Sequence, residues 1–152
     1  MVKKVLFVCT GNTCRSPMAE RYFNTVAAGR ITAASAGLYA DAGSPMSFGA
    51  VRALAQYGIG EDDFRASQFE PELAEQADLI VGMTESHCRE VVKRYPAGAA
   101  KTVPLLQFTT GGSVADPFGG SDTEYRHCLE QMIPALENLM EYLLKKQTNC
   151  NK

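Results

Sequence analysis

The sequence predicts an α/β fold: a three-layer sandwich in which a four-stranded parallel sheet, ordered 2-1-3-4, carries helices on both faces. Three observations lead there. Apolar strand-like runs alternate with segments of helical periodicity along all 152 residues, the pattern of crossover units that join parallel strands. Val5-Leu6-Phe7-Val8 and Leu79-Ile80-Val81 are continuously apolar, as strands covered on both faces are. No internal repeat or linker-like stretch divides the chain, so a single domain over 1–152 is expected.

The first strand is Val5 to Val8, ending in Cys9-Thr10-Gly11-Asn12. Ser16-Pro17 reads as an N-cap with proline at the first helical position, and Met18, Tyr22, Phe23 and Val26 follow at helical spacing until Gly29. Ile31 to Ala36 reads as the second strand. Ser44-Pro45 is a second Ser-Pro helix start, with Val51, Leu54 and Ala55 on its buried face and a stop at Gly58. Asp78 to Met83 is the third strand, and Thr84 caps a helix that runs to the stop at Pro96. Lys101 to Leu106 is the fourth, placed at a sheet edge by Pro104. A Gly- and Thr-rich loop spans Phe108 to Gly120, long enough to suggest a functional role. The last helix, about Ser121 to Lys146, carries an apolar stripe and should be kinked or split at Pro134.

In the order 2-1-3-4 the first two crossovers run to opposite sides of strand 1, so its carboxyl end is the crevice where ligands bind. The loop from Cys9 to Ser16 starts there. It joins a buried strand to a helix start, so successive N–H groups of Thr10, Gly11, Asn12, Thr13 and Cys14 and the helix dipole converge on one small anion-binding concavity. The Gly-Lys-[Ser/Thr] ending of a nucleotide-binding loop is absent. A thiol at the first position of such a nest is favoured as thiolate by the same N–H groups and by Arg15, which makes Cys9 a nucleophile. Arg15 offers a planar fork for two oxygens of a phosphoryl group. Ser16 is placed to donate a hydrogen bond to the Cys9 sulfur, and Gly11 and Asn12 tolerate positive φ where the loop turns inward. Asp116, fixed beside Pro117 in the long loop, is the candidate acid for the leaving group and then the base for hydrolytic water. The chemistry is a two-step covalent displacement at phosphorus with no metal and no cofactor.

These residues closely resemble the low-molecular-weight protein tyrosine phosphatases. The likeness is carried by Val5 to Glu20, Ser35-Ala36-Gly37, Arg65-Ala66-Ser67-Gln68, Asp78 to Met83 and Asp116-Pro117-Phe118-Gly119-Gly120, in order over nearly the whole chain. It implies Cys9 as nucleophile, Arg15 as phosphate ligand, Asn12 as loop organiser, Ser16 as thiolate support, Asp116 as general acid and phosphorylated proteins as substrates. Tyr39 falls in a loop that forms a pocket wall in the family. The eukaryotic tyrosine-directed members usually carry an aliphatic residue where this chain has Thr13, and a tyrosine where it has Phe118. The Thr-containing loop is similar to that of the bacterial protein-arginine phosphatases of the same family. A Thr hydroxyl can orient water or a phosphorylated guanidino group, whereas isoleucine offers an apolar wall to an aryl ring. The expectation therefore leans to phosphoarginine, with phosphotyrosine the alternative and neutral variation the plainer account of Thr13 and Phe118.

Composition sets the surroundings. With 15 basic and 17 acidic residues and a net charge of −2, no global field recruits nucleic acid or an anionic membrane. Met1-Val2-Lys3-Lys4 leads straight into the first strand without a signal-peptide core, and no apolar run spans a bilayer, so a cytoplasmic protein is expected. Oligomeric state is not assigned by the pattern. Cys9, Cys14, Cys88, Cys128 and Cys150 make an odd count, which suits reduced thiols better than a disulfide framework. Cys14, inside the same loop, can reach Cys9 and form a reversible disulfide; the plainer reading is a small buried thiol. Zinc is disfavoured because the neighbours in His87-Cys88 and His127-Cys128 point about 100° apart on a helix, and both histidines are expected to be exposed. An arsenate reductase is the other enzyme class considered, and it lacks here the downstream cysteine pair its relay needs.

Overall fold

The computed structural model describes residues 3–60 and 63–150; Met1 and Val2 of the amino-terminal reading, and the side chain of Cys150, lie outside the described residues. The strands are β1 (Lys3–Cys9), β2 (Ile31–Gly37), β3 (Leu79–Gly82) and β4 (Thr102–Pro104). All are parallel and ordered β2-β1-β3-β4, as expected. The helices are α1 (Arg15–Ala27), α2 (Phe48–Ala55), α3 (Pro71–Gln76), α4 (Glu85–Arg94) and α5 (Asp122–Cys150).

Alternate residues of β1 enter different layers, as the period of a strand requires. Val5, Phe7 and Cys9 face the core built by α1, α2 and α5, where Phe7 meets Phe23 edge-on at 5.7 Å. Leu6 and Val8 face a smaller core with Ala74 of α3 and Val91 of α4. Each fully buried Leu or Phe in these layers contributes about 1.5–3 kcal/mol. The register sets Cys9 opposite Gly37 and Val8 opposite Gly82, so the carboxyl ends of the three longer strands open on one rim. No helix among the described residues is long and apolar enough to cross a membrane.

Several boundaries differ from the sequence reading. Helix α1 begins at Arg15 with Cys14 at the cap position, and Ser16 lies inside its first turn. Its hydroxyl bonds the Cys9 sulfur and the Asn12 amide instead of capping. Helix α2 begins at Phe48, not at Ser44-Pro45, because Ser44 closes a turn on Asp41 and its carbonyl accepts from Ala66 N–H. It ends at Ala55, and Gly58 at φ 72° serves the turn beyond it. Helix α3, six residues long, has no counterpart among the elements expected from the sequence. The fourth strand shrinks to Thr102–Pro104 between 3-10 turns at Pro96–Lys101 and Leu105–Phe108, and it does lie at the sheet edge. Helix α5 is not split at Pro134: Met132, Ala135, Leu136 and Leu139 are buried on both sides of it, and their packing outweighs the ~3 kcal/mol a helical proline costs.

Candidate active site

The Cys9–Arg15 loop wraps a cavity of about 220 Å³ lined by all seven of its residues together with Asp116 and Phe118. The carbonyls of Cys9, Thr10 and Thr13 accept from the N–H groups of Leu38, Tyr39 and Ser47, each at 2.9 Å. These carbonyls are thereby turned outward. In a trans peptide the N–H opposes the C=O, so the N–H groups of Thr10, Gly11 and Cys14 face the other way, toward the cavity. Only Asn12, at φ 57°, takes the left-handed conformation; Gly11 does not, contrary to expectation. The short polar side chain of Asn12 holds that turn by its own hydrogen bonds.

Asn12 is the hub of a buried network. Its Oδ1 accepts from Ser67 N–H at 2.9 Å, and its Nδ2 donates to Ser16 Oγ and Ser35 Oγ at 2.9 Å each. Because Ser16 Oγ accepts from Asn12, the serine hydrogen is left for the Cys9 sulfur, 2.8 Å away. Ser35 in turn donates to Glu20 Oε1 at 2.9 Å. Burial raises the Glu20 carboxyl above its ordinary range, with the Ser35 bond opposing.

Arg15 enters from the first turn of α1 and is 5% exposed. It donates to the Val114 carbonyl at 3.1 Å and reaches Asp116 Oδ2 at 3.6 Å, joining the strand-helix loop to the Gly-rich loop. That second loop is anchored by Val114 N–H on the Met83 carbonyl at 2.9 Å. Asp116 is half-exposed and its Oδ1 accepts from Phe118 N–H at 3.1 Å, a turn across Pro117 that aims the carboxyl group. Phe118 is 75% exposed at the cavity mouth. Thr13 lines the cavity. Tyr39 does not: it stands beside the rim, 70% exposed, under the Arg94 guanidinium at 4.8 Å.

Cys14 Sγ sits 3.1 Å from Ser47 Oγ and 3.3 Å from the Tyr125 hydroxyl. Burial, then the Cys14 contact, pushes the Tyr125 phenol up to about 12. Burial pushes the Cys128 thiol up to about 12 as well, against the pull of Arg15, so it stays protonated. No group of three His, Cys, Asp or Glu among the described residues is placed to hold a metal ion. His127 is exposed as expected. His87 is not: it is buried against Thr10.

Sequence reasoning missed the residues that brace the loop from a distance. Gly37 is the clearest. A Cβ there would lie 2.6 Å from Thr10 O and 2.9 Å from Asn12 N, so the loop backbone occupies the space a side chain would need. Gly37→Ala is expected to displace the loop, costing about 1–3 kcal/mol of stability and most of the affinity for inorganic phosphate; thermal unfolding and phosphate titration check both. Only the family likeness at Ser35-Ala36-Gly37 points to it; no local pattern does.

The chain matches the model of the "Low molecular weight phosphotyrosine protein phosphatase" family over residues 4–149. It is 38% identical over 149 residues to a protein-arginine-phosphatase of Geobacillus stearothermophilus, covering 97% of this chain and 100% of that one. A crystal structure of a low molecular weight protein tyrosine phosphatase from T. tengcongensis superposes with a TM-score of 0.88 at 40% identity, covering 92% of this chain and 99% of that one. An arginine phosphatase solved as a Cys-to-Ser mutant with a phosphorylated active site serine superposes with a TM-score of 0.88 at 33% identity, covering 93% and 96%. The arsenate-reductase alternative finds no support among these relatives. The chain belongs to the low-molecular-weight phosphotyrosine protein phosphatase family and is a cysteine-dependent protein phosphatase.

Proposed function

We propose that the protein removes the phosphoryl group from phosphorylated arginine side chains of proteins in preference to phosphotyrosine, through a Cys9 thiophosphate. The observation that carries this reading is the single cavity shared by Cys9, Arg15, Thr13 and Asp116. Cys9 Sγ attacks phosphorus in line, and the S–P bond forms as the bond to the leaving nitrogen or oxygen breaks. Arg15 and the loop N–H groups take up the charge on the equatorial oxygens. The Asp116 proton goes to the leaving atom. Water then attacks phosphorus, gives a proton to Asp116, and displaces the thiolate with release of inorganic phosphate. Ser16 donates to the sulfur at both ends of the cycle.

The phosphoarginine preference rests on the Thr13 hydroxyl in the cavity wall and on the arginine phosphatases among the relatives. The test is phosphate release from matched phosphoarginine and phosphotyrosine peptides under reductant. Phosphoarginine is expected to be the better substrate, and Thr13→Ile is expected to move the ratio of kcat/KM toward phosphotyrosine by about tenfold or more. A wild-type preference for phosphotyrosine would make Thr13 neutral variation. The same reading places the protein in a reducing, cytoplasmic setting. Free Cys9, Cys14, Cys88 and Cys128 agree with it, and Cys14 is the thiol available to close a reversible disulfide on Cys9.

A further inference from the structure

Buried polar residues are few among the described residues, and Asn12, Arg15, Ser16 and Ser35 all build or brace the Cys9–Arg15 loop. His87 is the other one, 6% exposed. It lies in the first turn of α4, where its N–H donates to Thr84 Oγ1 at 3.0 Å. Its ring Nε2 is 2.9 Å from Thr10 Oγ1, and its Nδ1 is buried with no partner. The orphan decides the tautomer. A buried N–H without an acceptor is rarer and costlier than a buried lone pair without a donor, so Nδ1 is bare and Nε2 carries the hydrogen. Burial first, and the Arg15 charge second, push the imidazole down to about 4, with Asp116 opposing. The ring is therefore neutral at neutral pH and its one N–H is committed to Thr10.

A hydroxyl that accepts from the imidazole must direct its own hydrogen elsewhere. Thr10 is exposed and lines the cavity, and its backbone carbonyl is already taken by Tyr39 N–H. We propose that His87 is a positioning residue that turns the Thr10 hydroxyl into a directed hydrogen-bond donor toward the phosphorylated group in the cavity. His87 touches no substrate and moves no proton in the reaction. It fixes which way a neighbouring hydroxyl points, which ordinarily costs the bound state rotational freedom. The proposal rests on the phosphatase reading of the cavity but makes a separate claim, that a residue behind the wall sets the polarity of the wall.

The test reads binding of inorganic phosphate by calorimetry, which needs no turnover, alongside KM and kcat on the better peptide. Thr10→Val and His87→Leu are each expected to weaken phosphate binding by roughly tenfold and to raise KM more than they lower kcat. The double variant should bind within about twofold of Thr10→Val alone, because His87 acts only through Thr10. His87→Gln, whose amide can place a donor near the Nε2 position, should recover most of the loss. Nitrogen NMR on the unmodified protein should find Nε2 protonated and Nδ1 bare. Losses that add in the double variant, wild-type binding by His87→Leu, or the opposite tautomer would each overturn the proposal. If His87→Leu fails to fold, His87→Gln, Thr10→Val and the NMR measurement still decide it. If the protein binds phosphate yet hydrolyses no phosphorylated peptide, the phosphatase reading fails while the phosphate affinities still decide the role of His87.

Discussion

Cys9→Ser is expected to lower turnover by a factor of roughly 10⁴ or more while inorganic phosphate still binds within about threefold of wild type. The two halves of that result come from different parts of the loop. The donors to a bound oxyanion are backbone N–H groups fixed by the outward bonds of the Cys9, Thr10 and Thr13 carbonyls, together with Arg15, which is held by the Val114 carbonyl and Asp116. None of these is removed by exchanging sulfur for oxygen. What is lost is sulfur chemistry: a serine oxygen is the poorer nucleophile and, once phosphorylated, the poorer leaving group, so the cycle stalls before phosphate is released. The Ser16 hydroxyl, which donates to the sulfur, is already the acceptor for Asn12. Phosphate release and phosphate titration on the same preparation check both halves. Substantial residual turnover would remove Cys9 from the chemistry, and lost binding would mean the sulfur itself shapes the nest.

How much of this was legible in the sequence follows the distance over which each feature is built. The Cys9-to-Ser16 loop is contiguous and its chemistry is written in one stretch, and the layered parallel sheet follows from the alternation of strands and helices, although alternation allows strand orders besides 2-1-3-4. Asp116 was legible only because proline stands beside it. The Ser16-Pro17 and Ser44-Pro45 pairs misled for a common reason. A serine before proline looks like a cap, but Ser16 is spent on Cys9 and Asn12, and Ser44 on Asp41 and Ala66. Helix α3 has too few residues to establish a period. Ser35, Glu20 and Gly37 brace Asn12 and the loop from β2 and α1, and nothing local marks a glycine whose missing Cβ makes room for another segment. His87 was misread because the first turn of its helix, Glu85-Ser86-His87-Cys88, carries no apolar stripe of its own; what buries the ring is the Thr10 loop, a contact between residues 77 apart.

Asp116→Ala is expected to lower kcat/KM by roughly 10²–10³ on phosphorylated peptides and by less than about tenfold on an aryl phosphate activated by nitro groups. The difference reads the role. A phenol with an ordinary pKa near 10, or a guanidine whose conjugate acid lies above 12, leaves poorly without a proton, whereas an activated phenolate leaves unaided. The geometry makes Asp116 the group that can supply the proton. It is half-exposed and lines the cavity, with Oδ1 tied to Phe118 N–H and Oδ2 turned toward Arg15, so the loop presents the carboxyl group rather than letting it wander. Asp116 Oδ2 lies 3.6 Å from the Arg15 guanidinium. A phosphoryl dianion would compete for that guanidinium, which would free the carboxyl group for the departing atom. Asp116→Asn keeps the shape and the Phe118 bond but has no proton to give, so it should behave as the alanine variant does on peptides. Equal losses on activated and unactivated substrates in both variants would assign Asp116 to holding Arg15 in place, and the acid would have to be sought elsewhere along the rim.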